Sequence, residues 1–251
     1  GVRDGTRTGT SSGACRARKV THARGHLEAG LRSLNRPRPA EGDRLLTVHA
    51  AALCLGPTQT VMGHLAHEGM GARSVLVGDV MTDGCLRIAA EVEGTAPQLP
   101  EGVDASRDYL VSTIHRAENT DDEQRLRSII DALAGLPVPV VLLAHPRLVA
   151  RAATARIDLN AGALRTTEPL GYPKMVAAVL HSRGVVTDSG GLQKEAFLLG
   201  AHCTTLRTET EWTETGDLGW NVLRPLVGDL AEVVMRPRPR TATGAREGGG
   251  Q

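Results

Sequence analysis

Aromatic side chains are nearly missing from this sequence: one Phe, two Tyr and two Trp in 251 residues, or 2% of the chain. Rings bury more area per side chain than aliphatic groups do, so a core must be assembled from Leu, Val and Ala, and modest stability is expected. Cysteine is scarce as well. Cys15, Cys54, Cys85 and Cys203 lie far apart and form no CxxC pair, which removes metal-ligand spacing and argues against a disulfide framework. They are expected to be reduced and mostly buried as small hydrophobes, with no metal held. An excess of charge is also lacking: 29 Lys and Arg against 28 Asp and Glu leave a net charge of +1. That field is too weak to argue for nucleic acid or an anionic membrane as a partner. No apolar run approaches the roughly 20 residues needed to span a bilayer, and no signal peptide is visible. The cytoplasm is the expected compartment. The chain begins with Gly rather than Met, so its first residue is not expected to be the natural start.

What remains is an ordinary soluble composition, 41% hydrophobic and 23% charged, long enough for one large or two small domains. Residues 1–25 are rich in Arg, Thr, Ser and Gly and show little apolar periodicity. Residues 45–55, LLTVHAAALCL, have helix-like spacing up to the break at Gly56-Pro57-Thr58. Thr58 is placed to N-cap a second helix that ends at Gly69, and residues 74–77, SVLV, form a short strand. Residues 93–107 carry Pro, Gly and Asp and read as a linker.

Beyond the linker the pattern is regular. Residues 109–113 (YLVST), 139–143 (PVVLL), 184–187 (GVVT) and 203–206 (CTTL) are strands, PVVLL of the continuous apolar kind buried on both faces of a parallel sheet. Helices are expected over 121–136, 147–156, 173–180 and 191–199. This alternation predicts a doubly wound α/β domain. The boundaries read as 1–90 for an N-terminal region, 91–107 for the linker, 108–235 for the C-terminal α/β domain, and 236–251 for a disordered tail.

Five places carry chemistry. In VVTDSGGLQKE, residues 185–195, a buried strand runs directly into Ser189-Gly190-Gly191 and then a helix. Two glycines let the backbone approach a ligand, and free amides at a helix start favour phosphate oxygens. Glu195, about one turn along, is in reach of ribose hydroxyls. The same residues also fit a plain tight turn with Asp188 as the helix cap. His115, in HRAEN, and His145, before Pro146, each follow a strand, where ligands bind an open parallel sheet; a structural histidine and a plain turn are the alternatives. Glu28, in HLEAGLR, is an acid or base if burial raises its pKa, or an ordinary helix-start charge. The polar stretch 207–214 and Gly219-Trp220-Asn221 hold both tryptophans and read as a ligand-lining loop, or as a cover over the sheet edge.

Taken in order, HLEAGLRS (26–33), GPTQT (56–60), GDVMTD (78–83), HRAENTDD (115–122), EPLGY (168–172), TDSGGLQKEA (187–196), TETEW (208–212) and GWN (219–221) resemble the non-hydrolysing UDP-N-acetylglucosamine 2-epimerase family. GDVMTD and HRAENTDD are most similar to the branch that includes 2-epimerases of diacetamido-uronic sugars. The resemblance implies two doubly wound Rossmann-like domains of the GT-B type, the N-terminal one incomplete here, with an active cleft between them. It implies inversion at C2 of a UDP-sugar by elimination and re-addition of UDP, without a cofactor, in the service of cell-envelope polysaccharides. By position, Glu28 and His115 would be catalytic, His115 beside the diphosphate. Ser189, Gly190 and Gly191 would hold the diphosphate, Glu195 the ribose, and Arg207 would lie near the nucleotide. His145 would belong to a second, regulatory UDP-sugar site, and a homodimer is the expected assembly.

The family's opening Gly-Thr-Arg-Pro-Glu turn has no counterpart here. Its Gly-Asp-Thr motif should fall near Gly5-Thr6-Arg7, without the Asp. Its Pro-Glu-Glu-x-Asn-Arg is Pro39-Ala40-Glu41-Gly42-Asp43-Arg44, so a proposed acid/base Glu is Ala40. Two readings therefore stand open, an epimerase and a non-catalytic UDP-sugar-binding remnant. A glycosyltransferase of the same architecture is the weaker third. The strand before His26, VTHARG, is too polar and too basic for a buried central strand.

Overall fold

A computed structural model describes residues 24–32 and 39–239. Cys15, the 4–7 segment, residues 20–23 and the tail beyond 239 lie outside them. The chain divides into two compact units, Gly1–Met81 and Thr82–Gln251.

In the first unit three parallel strands, β1 (Gly25–Leu27), β2 (Leu53–Gly56) and β3 (Ser74–Leu76), pair in the order β1-β2-β3. Helix α1 (Pro39–Ala50) lies between β1 and β2 in sequence, and α2 (Gln59–His67) between β2 and β3. The 45–55 run does not stay helical. It leaves the helix at Ala50 because Ala52 and Leu53 donate their N–H groups to the carbonyl of Arg24, and Leu53 starts a strand whose Cys54 is fully buried. Strand pairing outweighs local helical spacing there. Arg24 Nε donates to the Ala50 carbonyl at 3.0 Å, capping the C-terminus of α1. Thr58 N-caps α2 as expected, its Oγ1 accepting from Val61 N–H at 3.3 Å. β1 contains His26 and ends the described sheet, where polar residues are tolerated.

The second unit is a six-stranded, wholly parallel sheet in the order β6-β5-β4-β7-β8-β9. Its strands are β4 (Leu110–Thr113), β5 (Val140–Leu143), β6 (Leu164–Thr167), β7 (Gly184–Thr187), β8 (His202–Thr205) and β9 (Asn221–Leu223). The helices are α3 (Val80–Val92), α4 (Ala117–Thr120), α5 (Glu123–Ala134), α6 (Pro146–Thr154), α7 (Tyr172–Leu180), α8 (Gly190–Leu198), α9 (Thr213–Asp217) and α10 (Leu230–Val234).

Strand side chains alternate between the two faces, and the packing divides accordingly. Leu110, Leu142 and Val186 pack with Leu126, Ile129, Ile130 and Leu133 of α5, Leu148 of α6 and Leu230 of α10. Val111, Val141 and Val185 pack on the other face with Val176 and Val179 of α7, Leu192 and Ala196 of α8, and Cys85 of α3. Helices thus cover both faces, which is why β5, VVLL, reads as an unbroken apolar run. The core is aliphatic, as the composition requires. Tyr109 is the one aromatic among its largest fully buried side chains, and its hydroxyl donates to the Ala178 carbonyl at 2.7 Å. Cys54, Cys85 and Cys203 are buried free thiols.

From β4 the chain builds outward through β5 and β6, then returns to lay β7 against the other side of β4. Segments leaving β4 and β7 therefore start out side by side at the carboxyl edge, the topological switch point of an open parallel sheet.

Candidate functional site

At that edge Thr113 and Thr187, the last residues of β4 and β7, join through their hydroxyls at 2.6 Å. Thr187 Oγ1 also accepts the N–H of Ser189 at 2.9 Å. Ser189 then N-caps α8, with Leu192 N–H donating to its Oγ at 3.3 Å. The cap is Ser189, not Asp188. The opening N–H groups of a helix have no intrahelical acceptor and carry the positive end of its dipole, so residues 189–191 form an anion-favouring turn on the sheet edge.

Asp188 turns the other way and is fully buried. It pairs with His115 Nδ1 at 2.9 Å and accepts the backbone N–H groups of His115, at 3.1 and 3.2 Å, and of Arg116, at 2.9 Å. Asn119 Nδ2 donates to it at 3.1 Å and to the Leu206 carbonyl at 3.0 Å. Burial pushes the Asp188 carboxyl up, but the bonds from His115, Arg116 and Asn119 outweigh it and hold it below the ordinary 3.8. His115 keeps its ring half exposed, and the ring of His145 lies 6.0 Å away, centroid to centroid. His145 is exposed and N-caps α6 through Nδ1, which accepts from Arg147 N–H at 3.2 Å.

A third group arrives after β8. Arg207 is buried and forks onto Glu211, with contacts of 2.9 and 3.3 Å. A side chain at position 190 would place its Cβ 3.3 Å from both Arg207 Nη1 and Glu211 Oε2, so the guanidinium and its carboxylate partner lie close against the start of α8. Gln193 fastens the loop to the helix. Its Nε2 donates to Thr215 Oγ1 at 2.8 Å, and its Oε1 accepts from Thr210 Oγ1 at 2.8 Å. Lys194 Nζ stands 4.1 Å from the Trp212 ring centroid, a cation–π contact. Loop 207–212 is thus held by side chains that it shares with α8.

Glu195 is buried on α8, where burial raises its carboxyl pKa while the Tyr172 hydroxyl bond and the Lys194 charge pull it back. Tyr172 also bonds Cys85, whose thiol is pushed up to about 11 by burial and by the Glu195 charge. That thiol stays protonated and unreactive at neutral pH.

His115, His145, Ser189, Gly190, Gly191, Glu195 and Arg207 therefore all belong to the second unit, on segments leaving β4, β5, β7 and β8. Glu28 belongs to the first unit. It is not at a helix start but in the turn after β1, at a φ of 57°. The left-handed region is uncommon for a residue with a side chain and is found at strained, often functional turns. Two neighbours define that turn. Gly30, at φ 89°, has Leu65 Cγ and Val61 Cγ1 2.7 Å from where a Cβ would be. Arg32 forks onto Glu68 with two contacts of 2.7 Å.

Sequence reasoning took Asp188 only as a possible helix cap and gave Gln193, Glu211 and Tyr172 no role. Asp188 alone left a signal, an acid directly after the strand GVVT, whose burial would require several donors. Among the described residues no group of three or more His, Cys, Asp or Glu is arranged to hold a metal ion, and no helix is long and apolar enough to cross a membrane.

Comparison with known proteins covers nearly the whole chain. A family model described as UDP-N-acetylglucosamine 2-epimerase matches residues 2–236. The UDP-2,3-diacetamido-2,3-dideoxy-D-glucuronate 2-epimerase of Pseudomonas aeruginosa is 39% identical over 232 residues, covering 90% of this chain and 63% of that protein. A UDP-N-acetylglucosamine 2-epimerase homolog of Methanococcus maripaludis is 36% identical over 235 residues, covering 92% and 65%. Among solved structures, the Methanocaldococcus jannaschii UDP-GlcNAc 2-epimerase in complex with UDP-GlcNAc and UDP superimposes with a TM-score of 0.81 at 28% identity, over 97% of this chain and 72% of that one. The chain thus spans less than two thirds of the length of the two relatives matched by sequence.

Proposed function

We propose that this chain, which belongs to the UDP-N-acetylglucosamine 2-epimerase family, binds a UDP-2-acetamido sugar at the carboxyl edge of its second unit and serves epimerisation at C2. The observation that carries this reading is the meeting of His115, the 189–191 turn and the buried Arg207 fork around one topological switch point. An amide turn, a guanidinium and an imidazole on one edge suit a diphosphate. In the proposed assignment residues 189–191 and His115 hold the diphosphate, Arg207 lies near it, and Glu195 takes the ribose hydroxyls. Glu28 is the catalytic carboxylate from the first unit, His145 belongs to a regulatory site, and a second copy of the chain is the partner.

The chemistry needs no oxidant. A carboxylate takes the C2 proton, the C2–H electron pair becomes the C1=C2 bond of a 2-acetamidoglucal, and the C1–O bond breaks with its pair leaving on UDP. Re-addition of UDP to C1, with a proton delivered to the opposite face of C2, completes the inversion. Donors aimed at the departing diphosphate stabilise the charge that develops there. Relatives named for UDP-N-acetylglucosamine and for a diacetamido-uronate support this substrate class.

A second reading, a UDP-sugar binder without turnover, is favoured by Ala40, which stands where the family pattern has an acid/base Glu. Loss of one such group lowers rates by about 10²–10⁴. Incubation of UDP-N-acetylglucosamine with the chain in deuterated water separates the two. Deuterium at C2 together with the C2 epimer supports the epimerase. Binding measured by calorimetry without exchange supports the binder, and absence of both overturns each reading.

A further inference from the structure

Every contact that Asp188 makes is with a donor: two backbone N–H groups, the Asn119 amide and His115 Nδ1. An ionised carboxylate is an acceptor only, so the proton between Asp188 and His115 sits on Nδ1. His115 is gripped twice, through its main-chain N–H and its ring, by one rigid side chain from the neighbouring strand. Asn119 is in turn pinned by the Leu206 carbonyl and by Arg125 Nε at 3.2 Å. The geometry fixes the ring plane and leaves Nε2 as the nitrogen not engaged by Asp188. The other titratable ring beside it is His145, 6.0 Å away between centroids.

We infer that Asp188 is a positioning residue that locks His115 in the Nδ1–H tautomer and presents Nε2 to the diphosphate of a bound UDP-sugar. This rests on the nucleotide-site reading above. With Nδ1 fixed, Nε2 is a bare acceptor on neutral His115 and a donor to phosphate oxygens once the ring is protonated. Asp188 holds the resulting imidazolium in place. The carboxylate acts through His115 and does not touch the sugar nucleotide.

Long-range proton–nitrogen NMR of the chain's imidazoles tests the tautomer, with His115 assigned by its loss in His115→Gln. At a pH where the ring is neutral, Nδ1 is expected to be protonated and Nε2 not; the opposite tautomer overturns the inference. A binding cycle with UDP gives a second reading. Asp188→Asn is expected to weaken UDP about tenfold or more, yet to add nothing in a His115→Gln background. Full additivity would mean that Asp188 only braces the fold and would overturn the role. Asn119→Ala, which spares His115, is expected to leave the tautomer unchanged. Should Asp188→Asn not fold, the tautomer of the parent chain still decides. If UDP fails to bind the parent chain, the nucleotide-site reading falls while the tautomer still tests the Asp188–His115 lock.

Discussion

His202 begins β8 fully buried, its ring packed so tightly on Gly184 that a Cβ there would come within 2.7 Å of Cε1. Neither ring nitrogen has a hydrogen-bond partner among the described residues. Burial, followed by the charges of Arg236, Arg183 and Arg238, lowers its pKa from 6.5 to about 4. A depressed folded pKa means stability that is present above the unfolded value and lost as pH falls through the folded one. Unfolding free energy from urea titrations is therefore expected to drop by roughly 3 kcal/mol between pH 6.5 and about 4. His202→Leu should flatten that window. Asp188, held below 3.8, adds a loss of the same sign at still lower pH. Gly190→Ala separates site from fold: helix propensity changes stability by only about 1 kcal/mol. The added methyl stands 3.3 Å from Arg207 Nη1 and Glu211 Oε2 and shifts that fork, so UDP affinity is expected to fall in calorimetry. Residue identity was legible in the sequence where a strand runs straight into a glycine turn and a helix, as at Ser189 and Gly190. For Asp188 the sequence offered only a helix cap, because its role depends on His115, 73 positions away.

Elements were legible where their residues are buried on the sheet. β5 reads as an unbroken apolar run and β7 as a β-branched one, and each residue of both is buried. β6 was missed because only Leu164 of its LRTT is buried, so an edge strand leaves little pattern. The short α9, β9 and α10 span three to five residues each, too few for a period to register. Helix α5 shows the opposite case, four apolar positions at helical spacing, all buried. Ile129→Ala is expected to cost about 2–5 kcal/mol in urea unfolding. Gln193 ties loop 207–212 to α8 through two 2.8 Å hydrogen bonds. Gln193→Ala, leaving Thr210 and Thr215 without it, should cost about 1–3 kcal/mol. It should also speed proteolysis within that loop while leaving α5 protected from hydrogen exchange.

For the molecule as a whole, the parallel sheet of the second unit was foreseeable from alternating strands and helices, that of the first only from the family that the motifs resemble. The switch point was not legible, because strand order depends on pairing between β4 and β7, which no local pattern encodes. The most direct test of a nucleotide site at that point is calorimetric unfolding of the purified chain with and without UDP. At 100 times its dissociation constant, UDP should stabilise the chain by about 2.7 kcal/mol. An upward shift of the transition that disappears in Ser189→Trp is the expected result. A cooperative transition that UDP does not move, or a shift that survives Ser189→Trp, would contradict it.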